Sequence, residues 1–340
     1  MGLHGSGVSL FCSGFTQKPY IFAQHALCAT GCGFPVTGER KDSVLSTQQD
    51  AEALPPLPPI DISKFSFVVI VHLVAVYAAA AWIAGTLTVS WLNIFTAFAW
   101  FVMSSTTIAA GYHRYYSHKT FEATWPLRMF FLVTGTGAVQ GSAMQWAAQH
   151  RDHHTFCDGA KDPYNINQGF WHAHIGWVVR QTEPDYNRVK DLSADPINRF
   201  QHKFFGPLSL ITGFGIPGAV GYFFGEFWNY ALIGGALRLV IQWHMTFCVN
   251  SVAHWWGSQK YSTANTARGS WWLSFMVWGE MDHNYHHTFP NDFRTGTHWY
   301  DFDPGKWFIW TCSKIGLASD LKFADQERID RVTEASTSND

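Results

Sequence analysis

Apolar and polar positions fall into long blocks along the chain. Phe65 to Val89 is almost entirely apolar and uncharged, and Trp91 to Tyr112 is a second such run. Each reaches the roughly 20 residues needed to cross a bilayer core. The link around Gly85 to Ser90 is short and uncharged, so the pair predicts a helical hairpin. Phe204 to Phe224, with Gly and Pro that membrane helices tolerate, and Tyr230 to Val249 predict a second hairpin whose link carries only Glu226. Residues 127–149 are also apolar, but Gly-rich and interrupted by Gln140, Gln145 and Gln149. They predict a helix on or just under the membrane surface, because a fifth span would put the flanking histidines on opposite sides. The pattern predicts an all-α integral membrane protein with four transmembrane helices in two hairpins and a helical cytoplasmic cap.

Charge orients this arrangement. Both short links lack Lys and Arg, whereas basic residues crowd 113–203 and the C-terminal third, so both termini and the two large polar segments are expected on the cytoplasmic side. Arg238 interrupts the fourth run. An intramembrane charge is a functional candidate; the alternative is a buried Arg satisfied by helix carbonyls or a carboxylate. Residues 1–60, rich in Gly, Ser, Thr and Pro and ending in the run Leu54 to Pro59, read as a flexible tail with an extended spacer. The expected division is this tail, a membrane domain over 61–322, and a polar C-terminal tail over 323–340. Met1 to Ser6 fits a myristoylation pattern. Residues 1–38 lack acidic groups as transit peptides do, but Lys18 is their one base, so a plastid address is the weaker expectation. The start has no signal-peptide pattern.

Composition sharpens the picture. Charged residues are 14% of the 340, aromatics 17%, and the net charge is −2. That excludes a disordered chain and gives no basic field for nucleic acid. The mean hydropathy of −0.05 averages uncharged spans with polar segments. Six scattered cysteines without a CxxC pair read as reduced thiols.

The 17 histidines are concentrated. His113 and His118 form an HxxxxH where the second span ends; His150, His153 and His154 form an HxxHH, and His283, His286 and His287 another. At this His frequency HxxHH is expected about 0.04 times by chance, yet it occurs twice. On a helix, i, i+3 and i+4 share a face, so each HxxHH aims three imidazoles one way, while its adjacent pair diverges by about 100° and can serve two metals. Five apart, His113 and His118 need the helix end to bend or unwind, next to Gly111. Eight imidazoles suit two metals of high coordination number, though imidazole alone does not choose among zinc, copper, iron and nickel. All clusters flank spans on one side, unlike a transporter's midplane ligands.

These boxes, HRYYSH, HRDHH and HNYHH, resemble those of the membrane fatty acid desaturases, the delta-9 stearoyl-CoA type above all. Asp162 to Asn165, Gly169 to Trp177 and His286 to Pro290 support it, and the similarity runs from about residue 65 to 322. The resemblance implies a ninth ligand, His254, from Asn250-Ser-Val-Ala-His254. It implies one iron on His113, His118, His150, His154 and His287, and a second on His153, His254, His283 and His286, with a water on Asn250. No catalytic residue beyond these ligands is implied. O₂ is the implied co-substrate, and the implied reaction puts a cis double bond, at delta-9, into a saturated acyl-CoA in the endoplasmic reticulum membrane. After Gly316 only 24 residues remain and no HPGG haem motif occurs, so a separate cytochrome b5 with its NADH-dependent reductase is the expected electron donor.

Asp152, Asp162 and Asp282 are candidates to orient ligating rings. His172 and His174 read as hydrogen-bonding neighbours and His244 as facing away from His254. Trp146 and Trp177 are candidates for the wall of an acyl tunnel, Trp100 for its floor, and Arg180 for headgroup contact. Cations are sparse at Ala148-Gln149, Asn167-Gln168 and Arg180-Gln181, which leaves an acyl-lipid beside CoA. Competing readings are a hydroxylase on the same scaffold, a membrane metal-binding or transport protein, and a zinc hydrolase.

Overall fold

A computed structural model describes residues 54–280 and 282–337. The myristoylation and transit-peptide patterns, Cys12, Cys28, Cys32, His4 and His25 lie outside these residues. The first helix, α1 (Ile62–Ile83), starts on Asp61, whose carboxylate accepts from the Ser63 and Lys64 amides, and closes before Gly85 at φ 72°, a left-handed position that favours glycine. Ser90 caps α2 (Trp91–Thr107) by accepting from the Asn93 amide. The same rod continues as a wider π-helical stretch over Ile108–Ser117. Gly111 is required there: a Cβ would lie 2.7 Å from the Phe131 ring.

The apolar stretch 127–149 is not one helix. It divides into α3 (Trp125–Thr136) and α4 (Ala143–Phe156). Between them Val139 and Gly141 take positive φ, and Ser142 then caps α4 on the Gln145 amide. The expected third span is bent as well. Here α5 (Pro196–Lys203) and the helical stretch Phe205–Tyr222 meet at 79°. Pro207 explains the break, since it has no N–H for the Lys203 carbonyl and its ring crowds it. The last rod runs from Phe227 to His254 and contains α6 (Arg238–Asn250). Among the described residues three helices are thus long and apolar enough to cross a membrane, Ile62–Ile83, Trp91–Ser117 and Phe227–His254, and the number is four where the bent pair counts as one span.

Buried polar groups tie the rods together. Arg238 is fully buried and donates to the carbonyls of Gly234, Gly137 and Gly213, the carbonyl-satisfied alternative of the sequence reading. His72 on α1 meets His244 on α6 at 3.2 Å, and His244 meets His174 at 2.9 Å, so His244 engages these two rings and not His254. A core cluster including Tyr112, Tyr116, Phe131, Met144 and Ile309 joins the π-helical stretch, α3 and α4 to the helix at Pro304–Lys314.

Among the described residues strand content is a two-residue antiparallel pair, Glu122↔Ser319 and Ala123↔Ala318. The proline run is docked rather than free: Pro58 and Pro59 carbonyls accept from Arg180 and the Gln181 amide. At the other end Gln326–Thr337, expected as tail, is a helix whose Ile329 is buried with Tyr261, Tyr285 and Phe289.

Candidate metal centre

Each histidine box is held in place by local structure. In the π-helical stretch the His118 amide donates to the His113 carbonyl, a five-residue repeat. That wider turn brings the HxxxxH pair onto one face, the unwinding its spacing requires; the ring centroids are 5.0 Å apart. His150, His153 and His154 project from α4. The third box lies on a short helix, α7 (His283–Thr288), capped by Asp282 on the Tyr285 amide. Its rotation is fixed by Asn284, which bonds Tyr261, Ser262 and Ala267 backbone groups, and by Tyr285, whose hydroxyl donates to Asp292 at 2.7 Å.

Nine ring nitrogens converge in two sets. His113, His118, His150, His154 and His286 form one, and His153, His254, His283 and His287 the other, with the ligand atoms of each set within 4.8 Å of one another. The division implied by the resemblance is therefore corrected at one pair: His286 joins the first set and His287 the second. The cause is the rotation of α7, which turns His286 toward His113 and His154 and leaves His287 beside His153 and His283. His254 sits at the end of the last rod, 3.1 Å from His283.

The donor geometry fits cations. Neighbouring Nε2 atoms are 2.8–2.9 Å apart in the first set and 3.1–3.2 Å in the second. Two nitrogens about 2.1 Å from one metal and at right angles lie about 3.0 Å apart. These contacts are not a hydrogen-bond network. His113 Nδ1 faces the Glu280 carboxylate at 3.1 Å, and His153 Nδ1 faces Asp162 at 2.9 Å; a carboxylate accepts, so Nδ1 is the donor in both rings and Nε2 is left to face inward. His254 Nδ1 donates likewise to Thr266 Oγ1 at 2.8 Å, whose hydroxyl is committed to Asp158. Inward lone pairs repel unless a cation lies among them.

Electrostatics agree. Burial, with neighbouring imidazoles adding to it, holds His118, His150, His154, His286 and His287 well below the ordinary histidine range and pushes His283 down to about 3. These six rings are neutral at neutral pH and free to act as ligands. Burial alone would raise Glu280, but His113 and Arg114 hold it at about 2.

The carboxylates were only partly legible. Asp162 reaches a ligand ring as expected. Asp152 instead pairs with Arg188 at 2.9 Å, and Asp282 is spent on capping α7. Glu280 was missed; its trace in the sequence is a lone carboxylate closing the apolar run Trp271 to Gly279. It also binds Arg114, which pairs with buried Asp303 at 2.8 Å. Tyr164, whose hydroxyl lies 3.2 Å from His150 Nδ1, has no signal of its own in the sequence beyond lying within Asp162 to Asn165.

A cavity of about 650 Å³ opens beside this cluster. His113, His150, His283, Glu280 and Asn250 are among its polar lining, and Phe67, Val68, Phe205, Leu210, Trp243 and Phe247 among its apolar lining. Trp146 and Trp177 are in its wall, and Trp146 stacks on His150 at 4.8 Å. Two expected substrate residues are not in the lining. Trp100 is buried against Gly137, beyond the wall, and Arg180 is turned to Pro58, while Lys64 on α1 lines the cavity in its place.

Comparison with known proteins places these features in context. The fatty acid desaturase family model matches residues 89–311. Acyl-CoA desaturase 1 of Saccharomyces cerevisiae is 38% identical over 246 residues, 71% of this chain and 48% of that protein. A probable acyl-CoA desaturase of Schizosaccharomyces pombe is 41% identical over 68% of this chain and 49% of its own length. Stearoyl-CoA desaturase 5 of Bos taurus is 34% identical over 77% and 79%. The chain thus spans about half the length of the two yeast relatives and most of the bovine one.

Proposed function

Because the chain belongs to the fatty acid desaturase family, we propose that it introduces a cis double bond, at delta-9, into the acyl chain of a saturated acyl-CoA. The supporting observation is nine converging imidazoles beside a mostly apolar cavity that His113, His150 and His283 line. Unactivated methylenes need an oxidant stronger than any side chain, and cofactors carry that chemistry. Two irons, when bound by the five- and four-histidine sets, would supply it by activating O₂. The first set would be His113, His118, His150, His154 and His286; the second His153, His254, His283 and His287, with Asn250 through a water.

The protein's own residues do the rest. Glu280, Asp162 and Thr266 fix the tautomers of His113, His153 and His254. Trp146, Trp177, Trp243 and Phe247 exclude water and hold an alkyl chain in one path. Lys64 offers a cation to the thioester headgroup. The names of the relatives favour CoA over a glycerolipid. Electrons from cytochrome b5 and its NADH-dependent reductase complete the proposed reaction. The protein sits in the endoplasmic reticulum membrane with four spans and both termini cytoplasmic.

Expression in a desaturase-deficient yeast with fatty-acid profiling tests this. New cis-monounsaturated acids are expected. Hydroxy acids in their place would establish the hydroxylase reading, and no new product with the protein and cytochrome b5 present would overturn the proposal.

A further inference from the structure

Three histidines lie together outside the metal centre. His72 on α1, His244 on α6 and His174 in the helical turn His172–Gly176 form a row in which each outer ring meets the middle one. The outer rings have fixed protons. His72 Nδ1 is 2.7 Å from the Val68 carbonyl, which only accepts, so Nδ1 carries hydrogen and Nε2 of the neutral ring is a lone pair. His174 Nδ1 is 2.9 Å from Ser251 Oγ, whose own hydrogen goes to the Phe247 carbonyl at 2.9 Å, and the same carbonyl accepts from His174. His174 Nε2 is therefore a lone pair as well.

Both lone pairs point at His244, one at its Nε2 from 3.2 Å and one at its Nδ1 from 2.9 Å. A neutral His244 has one N–H and satisfies only one of them. The other contact would set two lone pairs against each other at hydrogen-bond distance. A cation resolves this, and the geometry chooses which. His244 offers a different nitrogen to each neighbour, so a metal would find two nitrogens, where structural zinc takes four and catalytic zinc three. Both separations fit N–H hydrogen bonds. His244 is half-buried, which disfavours charge, but hydrogen bonds from a charged donor are roughly twice as strong as neutral ones, and His244 makes two. Among the described residues no carboxylate, lysine or arginine contacts the three rings. Lys64 is turned to Asp61 and the Arg180 carbonyl, Arg238 to backbone carbonyls and Arg180 to Pro58. The titratable groups facing His244 are the two outer rings.

We propose that His72, His244 and His174 are a binding site for one proton beyond those of three neutral rings, carried by His244 as an imidazolium that donates to both neighbours at neutral pH. The proton acts as a clamp behind the cavity wall. Val68, Trp243 and Phe247 line the cavity and each contacts one of the three rings, so the shared proton ties α1 to α6 and to the His172–Gly176 turn where that wall is made.

Solid-state NMR of histidine nitrogens in the metal-loaded protein in lipid bilayers tests the site. At about pH 7.5 an isolated ring, with its ordinary value near 6.5, is mostly neutral. An imidazolium is expected whose two nitrogens couple, through hydrogen bonds, to two different rings. His72→Ala and His174→Ala each leave two rings that a single N–H satisfies, so each should abolish that signal. A group whose folded-state value lies above the unfolded one loses its contribution as pH rises, so the wild type's lead in melting temperature over His72→Ala should shrink between about pH 7 and 9. Absence of the imidazolium in the wild type, its survival in either variant, a lead that does not shrink, or a third metal ion that His244→Gln releases overturns the inference. The wild-type couplings decide even if no variant folds.

Discussion

Glu280 Oε1 lies 3.1 Å from His113 Nδ1, joining two residues 167 positions apart in sequence inside a buried pocket. The same oxygen accepts from Arg114, so one carboxylate both orients a ring and balances a buried cation. Glu280→Gln removes the charge and puts an amide N–H near Arg114. Partners of ligating rings are commonly worth 10–100-fold in metal affinity. A drop of about that size is expected in metal titration of the purified variant; unchanged affinity would mean that His113 is oriented by packing alone.

The assignment of His286 and His287 gives a stoichiometric test. His286→Ala opens the five-nitrogen set and His287→Ala the four-nitrogen set. Each variant should bind one metal tightly and the other weakly, with different spectroscopic sites surviving. Identical residual spectra from the two variants would contradict the division.

Acid should unload the centre and destabilise the metal-free fold. The folded-state values of these histidines lie below the ordinary 6.5, reaching about 3 for His283, because burial penalises the charged ring. Between those values the unfolded chain binds more protons than the folded one, so stability falls as pH falls. The melting temperature of metal-free protein should decline progressively once pH drops below about 6.5, and metal should be released over the same range. A melting temperature that holds steady down to about pH 4 would show that these rings are not buried neutral.

Trp100 tests packing rather than tunnel length. It is buried, and Gly137 approaches its indole so closely that a Cβ would lie 2.9 Å from it. Trp100→Ala should destabilise the fold by about 3–5 kcal/mol through the cavity it leaves. Denaturation of the detergent-solubilised protein measures this; a loss below about 1 kcal/mol would mean that the site collapses without strain.

Much of the protein was legible along the chain because the relevant signals are local. Uncharged runs of bilayer length, the HxxHH spacing on a helical face and the HxxxxH that demands a widened turn all depend on neighbours a few residues away. So the helical membrane architecture and eight of the nine clustered histidines could be read from spacing, with His254 added by resemblance to known desaturases. The resemblance also put His286 and His287 in the wrong sets. Adjacent rings diverge by about 100°, and only the rotation of α7, set by Asn284 and Tyr285 against distant partners, decides which ring meets which set. Glu280, Tyr164 and the Asp158–Thr266 pair carry no periodic signal, and they reach the rings only through contacts between segments remote in sequence. The low charge and the excess of histidine thus pointed to helices of membrane-spanning length and to a histidine cluster that could hold metal. Tertiary structure alone decided how nine imidazoles are shared between two sets, because that follows from how separate helices are turned against one another.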